Sequence, residues 1–283
     1  MSTKRWSLLW PEILATACRH ARNLSFSSML TTDKLTIRFG GHVAVNAVTC
    51  SFEPGTLTAI VGPNGAGKTT YFNLISGQLK ASSGTVTLGG RDLSGLPASA
   101  RTRAGLGRAF QLTNLFPNLS VQENVRLAVQ ASMSGAHRRG LNLWSIWSDH
   151  RAVTQRARQI LERVSMSERA DTLVASLPHG DQRKLEVALL MALEPQVYMF
   201  DEPTAGMSHD EAPVILDLIR ELKKDRSKII LLVEHKMDVV RELADRIIVL
   251  TNGQLVADGK PAEVIASPVV QQAYLGNAVK EDA

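Results

Sequence analysis

Residues 62–69 read GPNGAGKT, and no other stretch of this 283-residue chain restricts its fold as tightly. The text fits G-x-x-x-x-G-K-[ST] at every position. Gly62, Gly65 and Gly67 let the backbone curl until successive N–H groups face one point, as phosphate oxygens require. Lys68 is spaced to reach β- and γ-phosphates and Thr69 to ligate Mg²⁺, while Pro63, Asn64, Ala66 and Thr70 complete the loop and its exit. An accidental glycine-rich turn is the alternative, and the context argues against it. The preceding LTAIVG (57–62) is a continuous β-rich run, as expected for a strand buried on both faces. The following KTTYFNLISGQL reads as a helix, whose N-terminus adds a partial positive charge. Nucleotide binding by an α/β protein is the expectation.

A second stretch fits the same chemistry. VYMFDEPTAG (197–206) is an apolar strand that ends in Asp201 and Glu202, so two carboxylates reach the carboxyl edge of the sheet, where phosphate loops also end. Asp201 is expected to hold Mg²⁺ through water, and Glu202 to act as general base for an attacking water. The plain alternative is a strand end solvated by two acids.

The remaining text supplies the frame. LTIRFG (35–40) and 43–55 read as strands, 84–93 as an edge hairpin turning at Gly89-Gly90, and 229–233 as another buried strand. Residues 247–259 read as a hairpin turning at Asn252-Gly253. Strands alternating with helices imply an α/β core with a mostly parallel sheet. Residues 120–194 are largely helical and form an inserted helical subdomain, placed at about 112–194, with an unassigned insert near 134–151.

The net charge of +5 does not point to nucleic acid, because residues 1–40 carry six basic against two acidic side chains. Most of the excess therefore sits ahead of the core. Cys18 and Cys50 have neither metal spacing nor a disulfide framework, which fits a reducing compartment. No apolar run is long enough to span a bilayer. Residues 1–32 are expected to be an extension, either loosely ordered or an interfacial helix led by Trp6 and Trp10, with Met29 a candidate natural start.

SLPHGDQRKLEVA (176–188) leaves two readings open on its own terms. Pro178 suits the first position of a helix whose apolar side holds Leu185, Val187, Leu189, Leu190 and Leu193. That helix is either ordinary core or a helix start that meets a phosphate.

Taken together, these motifs resemble the ATP-binding-cassette family over residues 33–278, leaving 279–283 as a tail. The resemblance implies a P-loop NTPase core with a mostly parallel sheet, an antiparallel β subdomain and an inserted helical subdomain. It implies that Gln111, in RAFQ, touches Mg²⁺ and the attacking water, that His235, in LLVEH, contacts the γ-phosphate, and that Phe39 stacks on adenine. Phe39 as a core residue remains the alternative. The family's Leu-Ser-Gly-Gly-Gln stretch caps the γ-phosphate of ATP on the opposite subunit. Leu177, Pro178, His179, Gly180 and Asp181 stand there, with Pro178 replacing the serine hydroxyl. A second departure is Ser208 where the family often has aspartate, with Asp210 nearby.

His179-Gly180, the stretch 105–125 and the C-terminal PAEVIASPVVQQAYLGN are similar to the branched-chain amino acid importer subgroup, with its urea and amide relatives. The resemblance implies ATP and Mg²⁺ as cofactors and a second ATPase subunit, identical or paralogous. It also implies two membrane-spanning permeases, a periplasmic solute-binding protein, and a peripheral place on the cytoplasmic face of a bacterial inner membrane. The competing readings are the ATPase of a lipopolysaccharide-type exporter, a soluble non-transport cassette ATPase, and a small-molecule kinase or GTPase.

Overall fold

The computed structural model describes residues 29–109, 115–136, 145–207 and 211–272. The expectations for residues 1–28, Gln111, Ser208, Asp210 and the tail lie outside them.

Two sheets form the frame. Strands β1 (Leu30–Phe39), β2 (His42–Phe52), β4 (Ser83–Leu88) and β5 (Arg91–Asp92) make an antiparallel sheet in the order β2-β1-β4-β5. Strands β3 (Leu57–Val61), β6 (Leu106–Ala109), β7 (Val197–Asp201), β8 (Ile229–Val233), β9 (Arg246–Thr251) and β10 (Gln254–Gly259) make a second sheet in the order β10-β9-β3-β8-β7-β6. Only the β9–β10 hairpin in it is antiparallel. Every residue of β3, β7 and β8 is buried, which is why these strands read as predominantly apolar runs.

β1 starts at Leu30, ahead of the boundary expected at 33, and the cause is a change of parity. Leu30 and Thr32 face inward, a register shift follows between Thr32 and Leu35 with Lys34 at φ 46°, and Leu35 and Ile37 then face inward. Such a bulge breaks the two-residue alternation that marks a strand in sequence.

Helix α1 (Lys68–Ser76) lies between the sheets. Its Tyr71, Phe72 and Ile75 are buried with Leu30 and Phe52 of one sheet and Met199 and Leu231 of the other. Burying each such side chain contributes about 1.5–3 kcal/mol. Helix α2 (Ala98–Arg103) precedes β6, and its buried Arg101 donates to the carbonyls of Leu74 and Ile75 at 2.7 and 2.8 Å, tying down the end of α1.

The helical layer comprises α3 (Val121–Ala136), α4 (Ser145–Arg163) and α5 (His179–Leu193). Val121, Val125 and Val129 share a core with Ala157, Ile160, Leu161 and Leu185. A capping box opens α3: the Ser120 N–H donates to Glu123 Oε2 at 2.8 Å and the Glu123 N–H to Ser120 Oγ at 3.2 Å. The chain closes with α6 (Ala212–Lys223), α7 (Met237–Leu243) and α8 (Pro261–Ala266), of which α6 seals the second face of the parallel sheet through Ile215 and Ile219.

Candidate functional site

The glycine-rich loop links β3 to α1. Gly62 has φ 150°, and a Cβ there would stand 2.1 Å from the main-chain oxygen of Leu250 on β9. Gly67 takes the N-cap of α1 in the left-handed region, φ 93°, where a Cβ would meet the Ala44 oxygen at 2.5 Å. Neither position accepts a side chain without moving a strand. The turn Asn252-Gly253 closes on the same spot: the Gly253 N–H donates to Ala66 O at 3.0 Å and the Asn46 N–H to Gly253 O at 2.8 Å.

Lys68 is 5% exposed, and its ammonium donates to the carbonyls of Gly62 at 2.7 Å and Pro63 at 2.9 Å. Burial pulls its pKa down, with Glu202 and Asp201 pulling the other way. A cleft of about 310 Å³ opens over the loop, lined by His42 and Ala44 of β2, by Asn64 to Thr70, and by Glu202 and His235. Residues from four separate chain segments thus meet here. Phe39 is 50% exposed at the end of β1, which rules out the core alternative, yet it does not line this cleft. His42, its partner across the hairpin turn, does.

The acidic strand end divides its work between two environments. Asp201 is buried and forms an ion pair with Arg108 Nη2 at 2.8 Å. Burial lifts its carboxyl above the usual range, and Arg108 opposes that rise. Glu202 turns out of the strand at φ 50°, a conformation unusual for a side chain of this size, and presents Oε1 to His235 Nε2 at 2.6 Å. Backbone strain of this kind is a feature of functional sites. His235 is held in turn by Glu234, whose Oε2 accepts the His235 N–H at 2.8 Å while its Oε1 accepts the Thr204 hydroxyl at 2.8 Å. Thr69 and Asp201 supply hard oxygen donors of the kind Mg²⁺ uses beside phosphate oxygens. Among the described residues no group of three or more His, Cys, Asp or Glu side chains forms a metal cage, and Mg²⁺ held mainly by phosphates and water needs none.

The start of α5 lies apart from this cleft. Pro178 is the N-cap, one position earlier than the sequence implies, and Leu177, Gly180 and Asp181 are buried. Asp181 pairs internally with Arg169 at 2.8 Å and Lys184 at 3.1 Å. Glu211 lies across Gly180 so closely that a Cβ there would meet its Oε1 at 1.9 Å, and the His179 ring lies beside Gly206. None of the five residues 177–181 lines the cleft.

Arg108, Glu234, His42 and Ala44 escaped the sequence reading. Arg108 stands inside the RAFQ motif and could have been singled out as an arginine between apolar neighbours. The other three carry no local signal.

A phosphate loop on a mostly parallel sheet, with two acids at the end of β7 one strand away from β3, defines a nucleoside-triphosphate-binding P-loop protein. A family model described as ABC transporter matches residues 45–205, and one described as branched-chain amino acid ATP-binding cassette transporter matches residues 254–280. The high-affinity branched-chain amino acid transport ATP-binding protein LivG of Escherichia coli (strain K12) is 38% identical over 251 residues, covering 88% of this chain and 98% of the relative. The corresponding protein BraF of Pseudomonas aeruginosa is 36% identical over 251 residues, with the same shares. Among solved structures, the ADP conformation of an ATP-binding cassette of an ABC transporter matches with a TM-score of 0.72 at 28% identity, over 88% of this chain and 99% of that one.

The chain belongs to the ABC transporter family. It is an ATP-binding, ATP-hydrolysing subunit of that family. Exporter and soluble-cassette readings are not favoured by these relatives. Among the described residues no helix is long and apolar enough to cross a membrane.

Proposed function

We propose that this chain energises uptake of branched-chain amino acids, from the cytoplasmic face of a bacterial inner membrane, as one of two ATPase subunits. In this reading the pair serves two permeases fed by a periplasmic solute-binding protein. The cassette would begin with β1 at Leu30 and run to about 278, with residues ahead of it an extension. The solute class is supported by the names of the relatives and by the match at residues 254–280.

The observation that carries the mechanism is the convergence of Lys68, Thr69, Glu202 and His235 on one cleft. Backbone N–H groups of Gly65 to Thr70 and the α1 start receive the phosphates, with the Lys68 ammonium at the β- and γ-groups. Thr69, Asp201 and Gln111 would hold Mg²⁺, which would neutralise charge on those phosphates. Glu202 accepts a proton from water as the water oxygen attacks the γ-phosphorus and the bond to ADP breaks. His235 steadies Glu202 through the 2.6 Å contact and reaches the γ-phosphate. Phe39 stacks on adenine from the rim. Residues Leu177 to Asp181 face the nucleotide of the opposite subunit, which agrees with their place outside this subunit's cleft.

The test is transport by the permeases, binding protein and partner ATPase reconstituted in vesicles with this chain. Labelled leucine should accumulate with ATP inside and labelled urea should not. Accumulation of urea alone would move the solute class, and accumulation of neither would remove the importer reading.

A further inference from the structure

Arg108 is a half-buried arginine, with its guanidinium turned inward, that the mechanism above leaves without a task. It sits on β6, the four-residue edge strand, in register with Met199 of β7. Its guanidinium is shared between two parts of the site. Nη1 donates to Asn73 Oδ1 at 2.5 Å and to Ser76 Oγ at 2.9 Å, both on α1, while Nη2 donates to Asp201 Oδ2 at 2.8 Å. The guanidinium carbon stands 4.9 Å from the centre of the Phe72 ring, so α1 supplies a stacking face as well. The side chains of Arg108 and Asp201 are 9% and 8% exposed. A pair that dry is costly to desolvate and adds little to stability over an apolar pair of the same volume. A fork fixed at both ends instead gives orientation, because one oxygen of Asp201 is engaged and the rotation of the carboxylate is set from α1, the helix that begins with Lys68 and Thr69.

We propose that Arg108 is a positioning residue: anchored on Asn73 and Ser76, it fixes the Asp201 carboxylate relative to the phosphate-loop helix and thereby sets the affinity for the nucleotide-bound divalent cation. This rests on the reading of Asp201 as a metal-holding residue. Outer groups that orient a ligating side chain typically govern metal affinity by about 10–100-fold. A merely structural arginine would act on stability and on nucleotide binding with or without metal.

The experiment titrates Mn²⁺ into the full chain saturated with ADP, following free Mn²⁺ by electron paramagnetic resonance, beside calorimetric ADP affinity without metal. Arg108→Ala should weaken Mn²⁺ binding about 10–100-fold and change metal-free ADP affinity by less than about twofold. Arg108→Lys keeps the charge without the fork and should fall in between. Asn73→Ala releases only the anchor, should weaken Mn²⁺ in the same direction by less, and carries the test if Arg108→Ala does not fold. Unchanged or tighter Mn²⁺ binding in these variants overturns the proposal, as does equal weakening of ADP with and without metal. Asp201→Asn separates the two layers. Loss of Mn²⁺ there with none in the Arg108 variants removes the positioning role alone, whereas no loss in Asp201→Asn removes the metal reading and the proposal with it.

Discussion

Replacing Glu202 by Gln separates nucleotide binding from hydrolysis. The amide keeps the length and shape of the side chain and can still hydrogen-bond to His235 Nε2 at the 2.6 Å contact. What it cannot do is take a proton from water. Losing a general base costs about 10²–10⁴ in rate, which corresponds to about 2.7–5.4 kcal/mol on the barrier. Nothing comparable is lost from the fold. The side chains of Glu202 and His235 are 40% and 42% exposed, so their contact is screened by solvent and the melting temperature should move by no more than about 2 °C. The contacts of Lys68 with Gly62 and Pro63 are untouched. ATP should therefore bind with ordinary affinity and remain uncleaved, and the two-subunit state should become visible by sizing in ATP but not in ADP. The assay is single-turnover hydrolysis of labelled ATP with the partner ATPase present. A loss under tenfold refutes Glu202 as the base, unless the partner's equivalent glutamate carries the turnover, which its own Gln variant decides.

Three further outcomes are expected. Lys68→Ala should abolish ATP-induced thermal stabilisation in a folded protein, because it removes the cation at the loop's centre; retained stabilisation counts against the loop's assignment. Gly62→Ala should lower the melting temperature by roughly 5–10 °C, since a methyl group 2.1 Å from the Leu250 oxygen must displace β9 and the backbone conformation there resists any side chain. An unchanged melting curve would refute that. Pro178→Ser should raise stability by up to about 1 kcal/mol by giving α5 a hydroxyl N-cap, with ATPase activity within about fivefold of the parent. A collapse of activity would show that the rigidity of proline at φ −56° matters more than the hydroxyl it displaces.

What could be read in advance follows from how local each signal is. Strands β3, β7 and β8 are legible because burial on both faces leaves mostly apolar residues, and the loop at 62–69 because its geometry demands glycine. The first third of β1 is hidden by its own bulge, and β6 by being four residues long with an arginine in it. The family resemblance drew attention to Phe39, Gln111 and His235. That His42 and Ala44 line the cleft depends on how the antiparallel sheet docks beside α1, a long-range outcome that no window of residues records. The same holds for Arg108, whose partners lie 35 and 93 positions away in the chain.

Two of the tight glycine turns offer a contrast in what an insertion would do. Gly40-Gly41 joins β1 to β2 with open space around both residues: a Cβ on either meets nothing within 4 Å. Asn252-Gly253 joins β9 to β10 with the same economy, but a Cβ on Gly253 would meet the Ala44 oxygen at 2.6 Å, and its N–H is already bound to Ala66. The first turn therefore has room for an added residue, although His42 beside it lines the nucleotide cleft. The second behaves as a rivet through three segments. A residue added there would have to part β2, the phosphate loop and the last hairpin at once.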